Sequence, residues 1–337
     1  MAVVLALGNP LLDILAEVEE EMLTRYGLEL DTAVQAEERH RPLFAELAGL
    51  PGARSMGGGM VLNSVRAAQW MLQQPGTTAF AGCVGTDAFA DTLRDCVRSE
   101  GVHCAFAVNP DLPTGCCAVL TRHGERAMCT ELKAARSYRV EHLLEPSTSE
   151  LLARARVVYC AVLFTPAVVR LVAARTEELG SMLVVSLTAP FVVRDAERKA
   201  LLLELLPHVD FLFGNEREAL TWAGTEGWDT TDPAFVATRL SLIPGVKARK
   251  RTVVITRGSL PTVVAVNGHV SFHDVEPIAH DQLVDSTGAG DCYLGGFMAA
   301  LSRDLPLPEC CKAGAYAASV VVQQFGVNLP PAPNYTW

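Results

Sequence analysis

No run in this 337-residue chain reaches the roughly 18–20 uncharged apolar residues that a membrane-crossing helix needs. Basic residues are scarce: 28 Lys and Arg stand against 38 Asp and Glu, a formal net charge of −10. Phosphate backbones demand a basic footprint, so no nucleic-acid partner is expected, and no membrane partner either. The ten cysteines include no C-x-x-C clamp. Cys116–Cys117 and Cys310–Cys311 are adjacent pairs, which suits buried thiols better than zinc ligands. The apolar start, MAVVLALGNPLLDIL, lacks the basic segment and small-residue cleavage site of an export signal. Reduced thiols and a cytoplasmic location are therefore expected. No internal repeat or low-complexity tract breaks the chain, and no G-x-G-x-x-G follows an early strand, which argues against a Rossmann dinucleotide site.

What is present is ordinary globular composition, 50% hydrophobic and 20% charged, in a chain long enough for one large α/β domain with an appendage. The first residues read as a buried strand that Gly8, Asn9 and Pro10 interrupt. Residues 156–164, 182–187 and 252–256 also read as buried strands, and the first two precede helical patterns at 166–180 and 193–207. Residues 209–224 read as strand, short turn and helix. Such alternation is the signature of a parallel sheet covered on both faces, whose ligands sit beyond the carboxyl ends of the strands. Two regions break the rhythm. Residues 10–60 hold charged helices at 17–27 and 36–49, and residues 113–131 read as two strands joined by a turn at His123–Gly124. The expected division is a large domain of 1–9, 61–111 and 137–337, with 10–60 and 112–136 forming a small lid.

The densest chemical signal is 285-DSTGAGD-291, a small-residue turn between two aspartates, followed by a helical pattern at 291–303. Helix N-termini present unpaired N–H groups and partial positive charge. Gly288, Ala289 and Gly290 let an anion approach those amides closely, so no lysine is needed. Asp291, in the first turn, would face the anion and could take a proton from an attacking hydroxyl.

The string D-[TS]-x-G-A-G-D before an apolar helix resembles the second signature of the PfkB, or ribokinase-like, kinases. Within them, the chain resembles the adenosine kinases through GNPLLDI (8–14), AAQWMLQQP (67–75), PTG (113–115), TAPF (188–191), FGNEREA (213–219), GGF (295–297) and YAAS (316–319). The resemblance implies a ribokinase-like α/β fold: a central, mostly parallel sheet flanked by helices on both faces, with a small β-sheet lid. It implies transfer of a phosphoryl group from ATP to the 5′-hydroxyl of adenosine, with Asp291 as base and the Gly288–Gly290 amides as anion hole. It places Asp13 on the ribose hydroxyls, with Asn9 and Leu11 beside the nucleoside. Gly58, Gly59 and Asn63 hold the sugar, Phe164 stacks on the base, and Thr287 lies next to the acceptor. On the nucleotide side it places Asn215, Thr256, Gly258 and Asp285, with Glu218 and Asn215 holding Mg²⁺ through water. Arg126 matches a lid arginine that reaches the transferring phosphate. A monovalent-cation requirement stays open, and relatives imply a monomer.

Departures from the family cluster near the acceptor. Met60, Val61 and Leu62 stand where small or polar residues are usual, Ala33 where a glutamine is common, Val162 for a glycine and Glu131 for an asparagine. Near the nucleotide, Ala315 replaces a histidine and Gln323–Gln324 a basic pair. Bulk of a methylene or two shifts binding by only ~1–3 kcal/mol, so the swaps bear on acceptor preference and turnover rather than reaction class. A kinase for another nucleoside or sugar, and a weakly catalytic nucleoside binder, are the alternatives.

Overall fold

The computed structural model describes residues 3–30, 32–123 and 125–337. Met1, Ala2 and Asp31 of the expected domains, and Gly124 of the expected turn, lie outside the described residues. In chain order the strands are β1 (Val4–Leu7), β2 (Leu11–Glu17), β3 (Thr32–Gln35), β4 (Arg54–Gly58), β5 (Thr78–Val84), β6 (His103–Val108) and β7 (Cys116–Arg122). They continue as β8 (Glu125–Glu131), β9 (Val157–Cys160), β10 (Met182–Ser186), β11 (Phe211–Asn215), β12 (Thr252–Arg257), β13 (Leu260–Val266) and β14 (His269–His273).

One sheet runs β14–β13–β12–β11–β10–β9–β1–β5–β6. Its members from β12 to β6 are parallel, and β13 and β14 add an antiparallel edge. Every residue of β1, β5 and β9 is buried, as strands covered on both faces must be. Helices Pro166–Leu179, Ala196–Leu205, Glu216–Thr225 and Pro233–Ser241 pack on one face. Helices Met60–Leu72, Ala289–Ser302 and Leu307–Val321 pack on the other.

A second sheet, β3–β8–β7–β2–β4, takes one face's cover from helices Glu20–Tyr26 and Arg41–Ala48. Its other face carries a small apolar group, Leu11, Leu15, Cys117 and Val119, with Met56, Met128 and Leu132 around it. Asp13 alternates with Leu11 and Leu15 along β2, so its carboxylate is carried on that same face. Gly8 to Pro10 mark where the chain leaves the large sheet for the small one.

Three expected elements are corrected. The strand read at 156–164 ends at Cys160, because the Phe164 N–H turns back onto the Ala161 carbonyl at 3.0 Å. The helix read at 193–207 is two, Pro190–Arg194 and Ala196–Leu205. They break at Asp195, which leaves helical geometry and caps the Arg198 N–H at 2.9 Å. The helix expected from residue 291 starts at Ala289, with Gly288 as its N-cap at φ +71°.

Gly295 and Gly296 let helix Ala289–Ser302 lie close between its two neighbours. A Cβ on Gly295 would sit 2.6 Å from Ala67 Cβ, and one on Gly296 would overlap the Ala313 carbonyl. A Gly295→Val variant should therefore lose about 1–3 kcal/mol or more of stability in urea denaturation. Its turnover should fall further than its stability, because the two helices it forces apart carry Asn63 and Asp291.

Candidate active site

Asn63 lies in the first turn of helix Met60–Leu72 and Asp291 in the first turn of helix Ala289–Ser302. The Asn63 amide donates to Asp291 Oδ2 at 3.1 Å, across 228 residues of sequence. The N–H groups of Gly288 and Gly290 meet no acceptor among the described residues, and that of Ala289 makes only a 3.3 Å bond to the Ser286 carbonyl. A cluster of amides and one carboxylate thus share a helix N-terminus. Burial raises the Asp291 carboxyl from its usual 3.8 to about 6; the Asn63 bond opposes the rise and the Glu218 charge adds to it.

Asp13 is the second acid. Burial raises it from 3.8 to about 7, against the pull of the Arg66 guanidinium and with a push from Asp291. Gly58 is the residue that makes room for it, since a Cβ there would overlap the Asp13 carboxyl. Gly59 sits at φ +92° with its Cα 's would-be Cβ 2.7 Å from the Asn9 carbonyl, so a side chain would strain both backbone and contact. The Asn9 amide is tied to the Leu163 carbonyl at 3.3 Å.

A cavity of about 560 Å³ opens beside this group and is lined by Asn9, Leu11, Gly59, Met60, Val61 and Phe164, among others. Phe164 is both core and wall: it is buried, packs against Tyr138 at 5.1 Å between ring centroids, and still borders the cavity. Of the bulky departures, Met60 and Val61 do line it, whereas Leu62 and Val162 are buried in the two large cores. Ala33 does not border it, and Gln35 does. Glu131 pairs instead with Lys133 at 2.8 Å where β8 returns to the large sheet.

Arg126, on β8, forms an ion pair with Asp285, so the small sheet is tied to the glycine loop. Asp285 also accepts from the Thr287 N–H at 2.8 Å and the Gly326 N–H at 3.1 Å. Burial pushes the Asp285 carboxyl up, but the Thr287 N–H and the Arg126 guanidinium outweigh it and hold it below its usual value. The Thr287 hydroxyl is buried without a hydrogen-bond partner. Sequence reasoning missed Arg66. It is 3% exposed and donates to Gly57 O at 2.6 Å, to both Glu100 oxygens at 2.6 Å and to Val327 O at 3.1 Å. Its signal was available, as the one charge in an apolar helix, one turn after Asn63.

On the far side, Asn215 and Glu218 form a reciprocal helix cap. Asn215 Oδ1 accepts the Glu218 N–H at 2.8 Å, and Glu218 Oε2 accepts the Asn215 N–H at 2.9 Å. Thr256 pairs with Asn215 across β11 and β12, and Gly258 follows at φ +61° with open space around it. Ala315 and Gln324 are partly buried, and Gln323 donates to the Ser319 carbonyl at 2.8 Å. No group of three or more His, Cys, Asp or Glu gathers among the described residues. One buried carboxylate whose second oxygen is free of the cap fits a hydrated Mg²⁺ arriving with phosphates, an ion that keeps most of its waters.

The sequence pattern of the pfkB family carbohydrate kinases matches residues 23–334. The chain belongs to this family. Members similar to it include adenosine kinase 2 of Arabidopsis thaliana, 37% identical over 99% of this chain and 97% of that protein. Among solved structures, Anopheles gambiae adenosine kinase in complex with P1,P4-di(adenosine-5) tetraphosphate is 37% identical with a TM-score of 0.87, covering 97% of this chain and 98% of that one. Trypanosoma brucei brucei adenosine kinase without ligand is 31% identical with a TM-score of 0.91, covering 96% and 99%. The large sheet flanked by helices with its smaller companion sheet is thus the ribokinase-like fold of the family.

The raised acids set a pH dependence. Asp13 and Asp291 hold protons in the native state that the unfolded chain releases near 3.8, so their contribution to stability is full below that pH and is lost as pH rises through 6 to 7. An Asp13→Asn variant should therefore gain melting temperature over the parent at pH 7.5 and gain clearly less at pH 5, where only part of the penalty has accrued. Thermal melts at the two pH values check this, and an equal difference at both would contradict it.

Proposed function

We propose that this chain is an ATP-dependent adenosine kinase, forming AMP and ADP from adenosine and ATP as a step of purine salvage in the cytoplasm. The observation that carries the reading is the Asp291 carboxylate, held by Asn63 at a helix N-terminus whose Gly288 and Gly290 amides lack acceptors. A base and an anion cradle on one turn is the minimum equipment for moving a phosphoryl group onto a hydroxyl. The names of the relatives supply the acceptor, adenosine.

In this reading the ribose hydroxyls bind Asp13, with Asn9, Leu11, Gly58 and Gly59 around the sugar, and the base lies along Phe164. The 5′-hydroxyl gives its proton to Asp291 as its oxygen attacks the γ-phosphorus. The bond to the β-phosphate oxygen breaks, and ADP departs. Gly288, Ala289 and Gly290 amides stabilise the charge on the transferring group. Thr287 steadies the loop, and Thr256 and Gly258 border the nucleotide. Arg126 exchanges Asp285 for a phosphoryl oxygen, since a more highly charged anion competes well for a guanidinium. Mg²⁺, held through water by Glu218 and Asn215, would neutralise phosphate charge. Residues 10–60 and 112–136 act as a lid over residues 1–9, 61–111 and 137–337, excluding water that would otherwise take the phosphoryl. The active unit is a monomer.

AMP formation from adenosine and ATP should require Mg²⁺ and rise with pH through about 6, as Asp291 loses its proton. An Asp291→Asn variant should keep adenosine binding by calorimetry and lose about 10²–10⁴-fold in kcat. Turnover like the parent's would remove Asp291 from the role of base.

A further inference from the structure

Successive strand residues alternate, so Ala33 and Gln35 share one face of β3; of the two, only Gln35 borders the acceptor cavity. β3 is an edge strand running parallel to β8, with Gln35 in register with Thr130. The Thr130 carbonyl accepts both the Ala36 N–H and the Gln35 side-chain Nε2–H, each at 2.9 Å. A carbonyl can only accept, so the amide group of Gln35 has one orientation: nitrogen to Thr130, oxygen away from it. Gln35 Oε1 makes no hydrogen bond among the described residues.

Of the other polar side chains on the cavity wall, the Thr130 hydroxyl is turned to Cys117 Sγ at 3.2 Å, and the Thr165 hydroxyl donates to the Tyr138 carbonyl at 2.8 Å. The second side-chain carbonyl is that of Asn9, a residue packed beside Gly59, where the sugar is placed. Leu132 and Phe164 supply flat apolar walls. Gly59, Gln35 and Phe164 line one cavity, so a nucleoside whose sugar sits at Gly59 beside Asp13 has Gln35 and Phe164 within the space left for its base.

We propose that Gln35 is a specificity-determining residue of this chain: its side-chain carbonyl, oriented by Thr130, accepts a hydrogen bond from an amino group on the edge of the base. The inference rests on the nucleoside-kinase reading and sharpens it. An aminopurine presents a donor to Oε1, whereas an oxopurine presents a second acceptor and leaves two oxygens opposed. Purine riboside, which has no substituent at that edge, presents neither. A site built to hydrogen-bond a substrate group discriminates against analogues that lack or invert it.

Binding of adenosine, purine riboside and inosine to the full chain, measured by calorimetry, tests this without relying on turnover. The parent should bind adenosine about 3–10-fold more tightly than purine riboside, the worth of one neutral hydrogen bond, and inosine should bind more weakly than either. In Gln35→Leu, and in Gln35→Met should that variant fold poorly, the adenosine to purine riboside ratio should fall to about 1, while purine riboside affinity stays within about twofold. A ratio that survives both substitutions, or equal loss for all three nucleosides, overturns the proposal. AMP formation is assayed in parallel. A shifted binding ratio without AMP formation would count against the kinase reading and leave Gln35 as the base-reading residue, and normal AMP formation with an unshifted ratio would do the reverse.

Discussion

Everything at the centre of this molecule depends on how closely helix Ala289–Ser302 lies against helix Met60–Leu72. Gly295 removes the side chain that would hold them apart, and the result is a 3.1 Å hydrogen bond between Asn63 and Asp291. Neither residue is fixed by its own segment alone. The Asp291 carboxylate is oriented by an amide from a helix more than 200 positions earlier, so its geometry is a product of core packing and not of loop sequence. The cost is electrostatic. Closing protein around Asp291 and Asp13 leaves two acids near each other in a poorly hydrated place, and both hold their protons to higher pH than free carboxyls.

Arg66 and Arg126 distribute the opposing charge in different ways. Arg66 is fully engaged by Gly57, Glu100 and Val327, so its positive charge is permanent scaffolding beneath the site. Arg126 has Asp285 as its ion-pair partner, and that link runs from the small sheet to the glycine loop. Position and partner number separate the two guanidiniums, one enclosed by several partners and the other bridging two segments. The same separation holds for Glu218, half of which is spent on capping a helix.

The parallel character of the large sheet was legible in its apolar runs, because parallel strands buried on both faces have little else to be made of; the order of the strands was not. The glycine loop and both aspartates were legible because DSTGAGD combines small residues and acids in a way that a plain helix cap does not require. Less legible were the features that depend on distant partners. Asp195 splits a helix through a cap that reads as an ordinary charged position, and Phe164 leaves its strand early to form a cavity wall. Arg66 stood out as the one charge in an apolar helix, but its partners Glu100 and Val327 come from distant segments and could not be read from it. Gln35 could be found only once the register of β3 against β8 was known, since the resemblance points to position 33.

The late segment 322–327 has a temporal consequence. The Val322 carbonyl accepts the N–H groups of Val284 and Asp285, Gly326 binds Asp285, and Val327 packs against Gly288. A chain is made from its amino end, and here the Gly288 turn leans on residues that appear some forty positions after it. The turn therefore stays unbraced until residue 327 has been made, which puts it among the last parts of the molecule to be fixed.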